Sequence, residues 1–234
     1  MFNHIKQRIN AFTLSEVLIT LVVIGVVAAI TLPTIIANYT EHDRIAKIRK
    51  TYTTLNNALS LSRALGGDYV FDVEANDFTT VENYFNSYLK NRLSIVKTCY
   101  NKKGCWNKGD TKNLNGSNVY YNRTGIGVGA DIITAVLTDG TFINVDVYGS
   151  ASIWKYFGTE VENNGLVIFF DINGERKPNT VGKDIFPLIY SSNGIVPVYN
   201  DRTEAERKKD CSKTGTGYSC VRNYLSGKYL NNTN

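Results

Sequence analysis

One carboxylate, Glu16, lies near the start of a long apolar run, residues 12–36, FTLSEVLITLVVIGVVAAITLPTII. An acidic group inside such a segment costs roughly 2.5 to 3.5 kcal/mol on insertion scales, so Glu16 needs a partner that a plain anchor does not supply. A second constellation is DINGERKPNTVGKD, residues 171–184. Asp171 and Asn173 place hard oxygen ligands at alternate positions before the turn residue Gly174, and Asn179 or Asp184 can complete a Ca2+ shell. The stretch is not an EF-hand, because the third and final ligand positions of that loop are missing. Gly174, Pro178 and Gly182 serve a hydrogen-bonded turn equally well, and Arg176, Lys177 and Lys183 oppose a cation. Apart from that structural Ca2+, no cofactor is expected.

Four cysteines, Cys99, Cys105, Cys211 and Cys220, lie beyond the apolar run. In an exported chain an even count reads as two disulfides, and Cys99 to Cys105 with Cys211 to Cys220 is the simplest of the three connectivities. The alternative is a four-thiolate zinc site, although neither pair has the short gap of a metal knuckle. In residues 97–112, Lys97, Lys102, Lys103, Lys108 and Lys112 interleave with Tyr100 and Trp106. Such a mixture suits nucleic acid through phosphates and base stacking. It suits a solvated, disulfide-stapled loop as well. Other chemistry is missing. The histidines are His4 and His42, so nothing beyond residue 42 supplies the imidazole of a Ser–His hydrolase or a His-ligated metal hydrolase. Gly125, Gly127 and Gly129 lack dinucleotide spacing. Carboxylate-only catalysis stays open on sequence grounds, but the expectation is a protein that is not an enzyme.

The elements that must position these residues follow from periodicity. Residues 1–11 are short and basic through Lys6 and Arg8, which keeps them cytoplasmic and sends the bulk of the chain outward. Residues 12–36 are long enough to cross a bilayer as a helix. Residues 37–67 continue it as an amphipathic rod, with Ile45, Ile48, Tyr52, Leu55 and Leu59 on one face and a stop expected at Gly66-Gly67. The whole rod would be about 80 Å long, allowing for a bend at Pro33. Residues 68–234 are the exported domain. Within it a second helix is expected over residues 79–93, opened by a capping box at Thr79 and Glu82. Strands are expected over residues 132–137 and 141–147, flanking the hairpin signal Asp139-Gly140, and over residues 166–170, 184–190 and 195–199. A polar tail from Asn200 leads to a short helix over residues 221–225. Local strand connections imply an antiparallel sheet, and the apolar stripe from Ile45 to Leu59 is its available cover. The fold class is therefore α+β, a long N-terminal helix on an antiparallel sheet with disulfide-bounded loops. The formal charge of +5 falls to +3 without Lys6 and Arg8, too weak a bias to imply nucleic acid by itself.

The sequence Ala11-Phe12-Thr13-Leu14-Ser15-Glu16, followed by the apolar run and Pro33, resembles the cleavage and methylation site of type IV prepilins and type II secretion pseudopilins. The strand pattern TDGTFI and the 171–184 loop look like those of many prepilin-type proteins, and the cysteine-bounded tail resembles that of pilins. The resemblance implies cleavage between Ala11 and Phe12 and N-methylation of Phe12. It also implies that Glu16 pairs with a neighbouring subunit's terminal amine, Thr13 and Pro33 being further residues of the assembly segment. The family usually has glycine before the cut, where this chain has Ala11. The implied partners are the prepilin peptidase/methyltransferase, other pilin or pseudopilin subunits and the inner-membrane assembly platform. The implied location is a single-pass inner-membrane protein with its N-terminus inside, later part of a periplasmic or extracellular filament. The expected function is a structural subunit of a type IV pilus or type II secretion pseudopilus. The alternatives are a minor pilin that binds a surface or DNA, a membrane-anchored enzyme, and a signal anchor holding an exported domain.

Overall fold

Between Leu14 and Leu65 only Gly25 and Pro33 oppose a helix strongly, and the chain stays helical throughout, forming α1 (Leu14–Leu65, 52 residues). The computed structural model describes residues 12–65, 73–75, 77–119, 132–192 and 194–227. The leader with Ala11, the Gly66-Gly67 stop and the Gly125, Gly127 and Gly129 positions lie outside the described residues. Two compact units divide between Asp43 and Arg44, inside α1. The helix runs through Pro33, which cannot donate to the Ala29 carbonyl, rather than ending there. In the first unit Thr20, Thr31 and Thr40 turn their hydroxyls back onto the helix, to the Val17, Val27 and Ile36 carbonyls. Their polar groups are thus satisfied locally, and between Val17 and Ile36 the exposed side chains are apolar apart from Thr20, Thr31 and Thr34.

In the second unit six strands form one antiparallel sheet in the order β1 to β6. They are β1 (Ile95–Tyr100), β2 (Ile133–Leu137), β3 (Phe142–Tyr148), β4 (Gly165–Asp171), β5 (Ile185–Ser191) and β6 (Gly194–Pro197). The hairpin signal at Asp139-Gly140 is where β2 turns into β3. Gly140 adopts φ +83°, and Asp139 Oδ1 accepts from the Thr141 N–H at 3.1 Å. Register puts Val145 opposite Ile168 and Ile168 opposite Leu188, so Ile133, Val145, Ile168 and Leu188 share one face. Helix α1 lies on that side: Ile45, Ile48, Leu55 and Leu59 are buried, Lys50 Nζ reaches Asp139 Oδ2 at 2.7 Å, and the Arg63 guanidinium lies over the Tyr190 ring. Each such fully buried aliphatic side chain contributes about 1.5–3 kcal/mol.

A second helix covers the same face, but it differs from the expectation over residues 79–93. α2 (Phe78–Tyr84) starts one residue earlier and continues as a π-helical turn over Phe85–Lys90. Its cap is Asp77, whose side chain accepts from the Thr79 N–H at 2.9 Å, in place of the Thr79 and Glu82 box. The wider turn buries Phe85 and Leu89, and the Tyr84 hydroxyl donates to that of Tyr190 at 2.6 Å.

The opposite face is covered by three segments. Trp106, beyond the first disulfide, packs on Phe142 of β3. Helix α3 (Ser150–Phe157) and the tail meet there as well, Phe157 stacking on Tyr218 with both rings against Phe169 of β4. The tail itself holds α4 (Glu204–Asp210), opened by a capping box between Thr203 and Glu206, and α5 (Cys220–Ser226), which returns to the α1 side, where Tyr224 meets Phe186 edge-on and its carbonyl accepts from Arg49 Nε at 3.4 Å. Asp210 organises the turn between them by accepting from the Thr216 and Ser219 N–H groups at 3.1 and 2.7 Å. Gly217, at φ +88°, lets this turn press against the strand-connecting loop, because a Cβ there would lie 2.6 Å from the Val181 carbonyl oxygen.

Candidate functional site

The N-terminal site is built from the first turn of α1. Thr13 and Glu16 form a reciprocal cap: Glu16 Oε2 accepts from the Thr13 N–H at 2.8 Å and from its hydroxyl at 2.9 Å, while Thr13 Oγ1 accepts from the Glu16 N–H at 3.2 Å. A carboxylate at N3 both satisfies an orphan donor and sits at the positive end of the helix dipole. Glu16 thus has local partners before any second chain arrives. Phe12 is exposed next to it, as are Leu14, Leu18, Ile19, Leu21 and Val22. This is the one helix, among the described residues, long and apolar enough to cross a membrane by length and composition. Pro33 lies inside its apolar part, away from the Thr13 and Glu16 cap, to which it brings no contact.

The second constellation sits at the end of β4. Asp171 is fully buried, and its Oδ1 accepts from the Asn173 and Gly174 N–H groups, both at 3.0 Å. Its Oδ2 accepts from Asn107 Nδ2 at 3.2 Å. Asp184 Oδ1 accepts from the Thr180 N–H at 2.6 Å, and its Oδ2 from the Asn179 N–H at 2.8 Å and Asn173 Nδ2 at 3.2 Å. The structure therefore brings Asp171, Asn173 and Asp184 together within a hydrogen-bonded turn. Burial pushes the Asp171 carboxyl up to about 7; its N–H donors pull it down, and the charge of Asp184 adds to the rise. Burial also raises Asp184, against four hydrogen bonds that lower it. Among the described residues no three His, Cys, Asp or Glu side chains converge on one point. Sequence reasoning missed Asn107, which enters from a loop far away in the chain.

Cys99 is bonded to Cys105 and Cys211 to Cys220, the sequence-local pairing, and no cysteine is free. The thiolate zinc reading is thereby excluded. The basic and aromatic stretch is arranged for packing. Trp106 is buried, and Tyr100 meets Phe85 edge-on and donates to Asn86 Oδ1 at 2.8 Å. Lys97 Nζ donates to the Gly104 carbonyl at 3.0 Å, and Lys112 Nζ to Asn118 Oδ1. Neither aromatic ring of the stretch is presented for base stacking, which removes half of the nucleic-acid argument.

A long N-terminal helix, a six-stranded antiparallel sheet, two disulfides and a capped glutamate at the helix start define a pilin-like α+β protein. Residues 6–32 match the family model described as the prokaryotic N-terminal methylation motif, the hallmark of the type IV prepilin and pseudopilin family, and the chain carries that hallmark. No curated protein and no solved structure matches the chain.

Proposed function

We propose that this chain is a structural subunit of a type IV pilus or type II secretion pseudopilus. Prepilin peptidase cuts it between Ala11 and Phe12, Phe12 is N-methylated, and the subunit waits in the inner membrane with its N-terminus inside. Assembly extracts α1 into a bundle of like helices, held by the inner-membrane platform during extraction. The observation that carries the reading is the pairing of the methylation motif with an apolar helix surface exposed along its whole first part. Such a surface needs lipid or other chains to cover it. Glu16 supplies axial register, because a carboxylate in an apolar bundle is costly unless a cation meets it, and the neighbour's Phe12 amine is that cation. Heterologous contacts of this kind do not close on themselves and so build filaments.

The test is filament yield from cells producing Glu16→Ala or Glu16→Gln, measured by shearing and mass spectrometry, alongside the amount of subunit in the membrane fraction. Membrane content should stay the same or rise in both variants, since the helix loses a charge. Filaments should fall sharply in Glu16→Ala and less in Glu16→Gln, which keeps an acceptor without the charge. Normal filament abundance in Glu16→Ala would sink the pairing mechanism.

A further inference from the structure

We propose that the outer edge of β1 is a docking site for an extended acidic segment of another protein, which adds to the sheet as a further strand. The strand order leaves two edges, β1 and β6. β6 is four residues long and ends in Pro197, which blunts it. β1 runs for six residues, with Val96 68% exposed and Lys97 exposed beside it. The Asn101 N–H donates to the Ile132 carbonyl at 2.9 Å, so residues 101 and 132 form a directly bonded antiparallel pair. Such pairs alternate along a ladder. Cys99 and Lys97 therefore turn their main-chain groups to β2, whereas Thr98 and Tyr100 turn theirs outward. Among the described residues no backbone group pairs with Thr98 or Tyr100 on that outer side. An edge of this kind is a template for another strand.

The charge around this edge is the independent observation. Between Asn83 and Gly109 the chain carries Lys90, Arg92, Lys97, Lys102, Lys103 and Lys108 and no Asp or Glu. Lys108 leaves with Trp106, which packs over β3. Others stay with β1. Lys90 Nζ lies 5.3 Å from the centre of the Tyr100 ring. Lys97 Nζ donates to the Gly104 carbonyl at 3.0 Å, and together with the Cys99–Cys105 bond this folds the loop that carries Lys102 and Lys103 back towards the strand. Among the described residues none of Lys90, Lys97, Lys102 and Lys103 makes an ion pair. Asp139, on the hairpin whose Thr138 N–H bonds to the Ser94 carbonyl, is already held by Lys50 at 2.7 Å.

Lysines and a bulge are common means of keeping a strand edge from pairing with its own kind. Here the register shift between Ile95 and Lys97 supplies the bulge, and the cations supply the repulsion. That guard works in one direction only. Two copies of this chain meeting through β1 would bring like charges together, whereas a strand that carries Asp or Glu meets opposite ones. Nucleic acid fits the edge less well, because the edge alternates N–H donors with carbonyl acceptors and a phosphate can use only the donors. A peptide backbone offers both groups at the right spacing, and an apolar side chain within it has the exposed Val96 to rest on.

The experiment uses the full chain in a non-ionic detergent and, as probe, a fluorescein-labelled eight-residue peptide of alternating Glu and Val, followed by fluorescence anisotropy. Saturable binding is expected. Three changes should each weaken it at least tenfold: Lys in place of Glu in the probe, methylation of the probe's inner backbone nitrogens, and the double substitution Lys102→Glu with Lys103→Glu in the chain. The methylated probe keeps its charges and side chains but loses its donors, so it decides the matter if the double variant does not fold. Amide hydrogen exchange gives the location. The Thr98 and Tyr100 amides should slow at least tenfold with the Glu–Val peptide bound, while that of Cys99, already turned to β2, changes little. No saturable binding to the folded parent chain overturns the proposal, as does unchanged exchange at Thr98 and Tyr100. Equal binding of the methylated probe overturns it too, since charge alone would then account for the contact. So does tighter binding of a five-thymidine oligonucleotide with its four phosphates, which would make this a surface for nucleic acid. The contact is read on purified protein and stands or falls apart from the filament reading.

Discussion

Replacing Asp171 by asparagine should stabilise the chain at pH 8 in calcium-free buffer and do little at pH 4. Burial, helped by Asp184, lifts this carboxyl from its ordinary 3.8 to about 7. A tenfold difference in proton affinity is worth about 1.4 kcal/mol, so the ionised form costs about 4 kcal/mol more in the folded chain than in the unfolded one. The raised folded value fixes the sign. The stabilising effect of the bound proton is complete below the unfolded value near 4, declines as the pH rises, and is lost above about 7. Asparagine keeps the acceptor for the Asn173 and Gly174 N–H groups, and its new NH2 can donate to the orphaned Asn107 Oδ1 once that amide turns. The assay is urea unfolding of the full chain and Asp171→Asn in EGTA, at several values between pH 4 and 8, followed by near-ultraviolet circular dichroism. The difference between the two proteins is the quantity to read, because other groups titrate the opposite way. Asp139, which burial raises, is brought below its usual range overall by Lys50 and the Thr141 hydrogen bonds. A difference that is flat across this window, or one that grows as the pH falls, would refute the reasoning.

The other expectations are more local. Leu55→Ala empties a fully buried position beneath the sheet and should cost about 2–5 kcal/mol in unfolding free energy, measured with the same denaturation series. Removing the Cys211 and Cys220 bond by double serine substitution should cost about 2–3 kcal/mol and increase proteolysis between Asp210 and Ser219, checked by limited digestion. Mass spectrometry of the membrane-borne subunit should find an N-terminus at Phe12 carrying a methyl group; a retained Met1 in assembled filaments would defeat the processing scheme.

What could be read from the sequence was what rests on local composition. The apolar run with Glu16 declares itself because a membrane span needs only length and hydropathy. The Asp139-Gly140 turn declares itself because φ > 0 has few chemical solutions. β1 was hidden: Ile95, Val96, Thr98 and Tyr100 favour a strand, but Lys97 and Cys99 among them read as part of a polar loop. Helix α3 carried an apolar pair four apart, Ile153 and Phe157, between Gly149 and the left-handed cap Gly158, in a stretch too short to show a period. Helix α4 had a readable capping box at Thr203 and Glu206 but buries only Asp210, so no apolar face announced it. Nothing local could tie Asn107 to Asp171, since that contact exists only after the sheet and the Cys99–Cys105 loop have come together.

The sheet order has a consequence for how the chain acquires its fold. From β3 to β6 every strand pairs with its predecessor in sequence across a much shorter connection than the one between β1 and β2, so each can add as soon as it is made with a smaller loss of entropy. The stripe of α1 that caps this sheet is made first and covered last. Ile45, Ile48, Leu55 and Leu59 must wait through the synthesis of more than a hundred residues before β5 is available to shield them. During that interval the nascent chain carries two uncovered apolar surfaces, a condition that favours aggregation until the sheet zips up over the second of them.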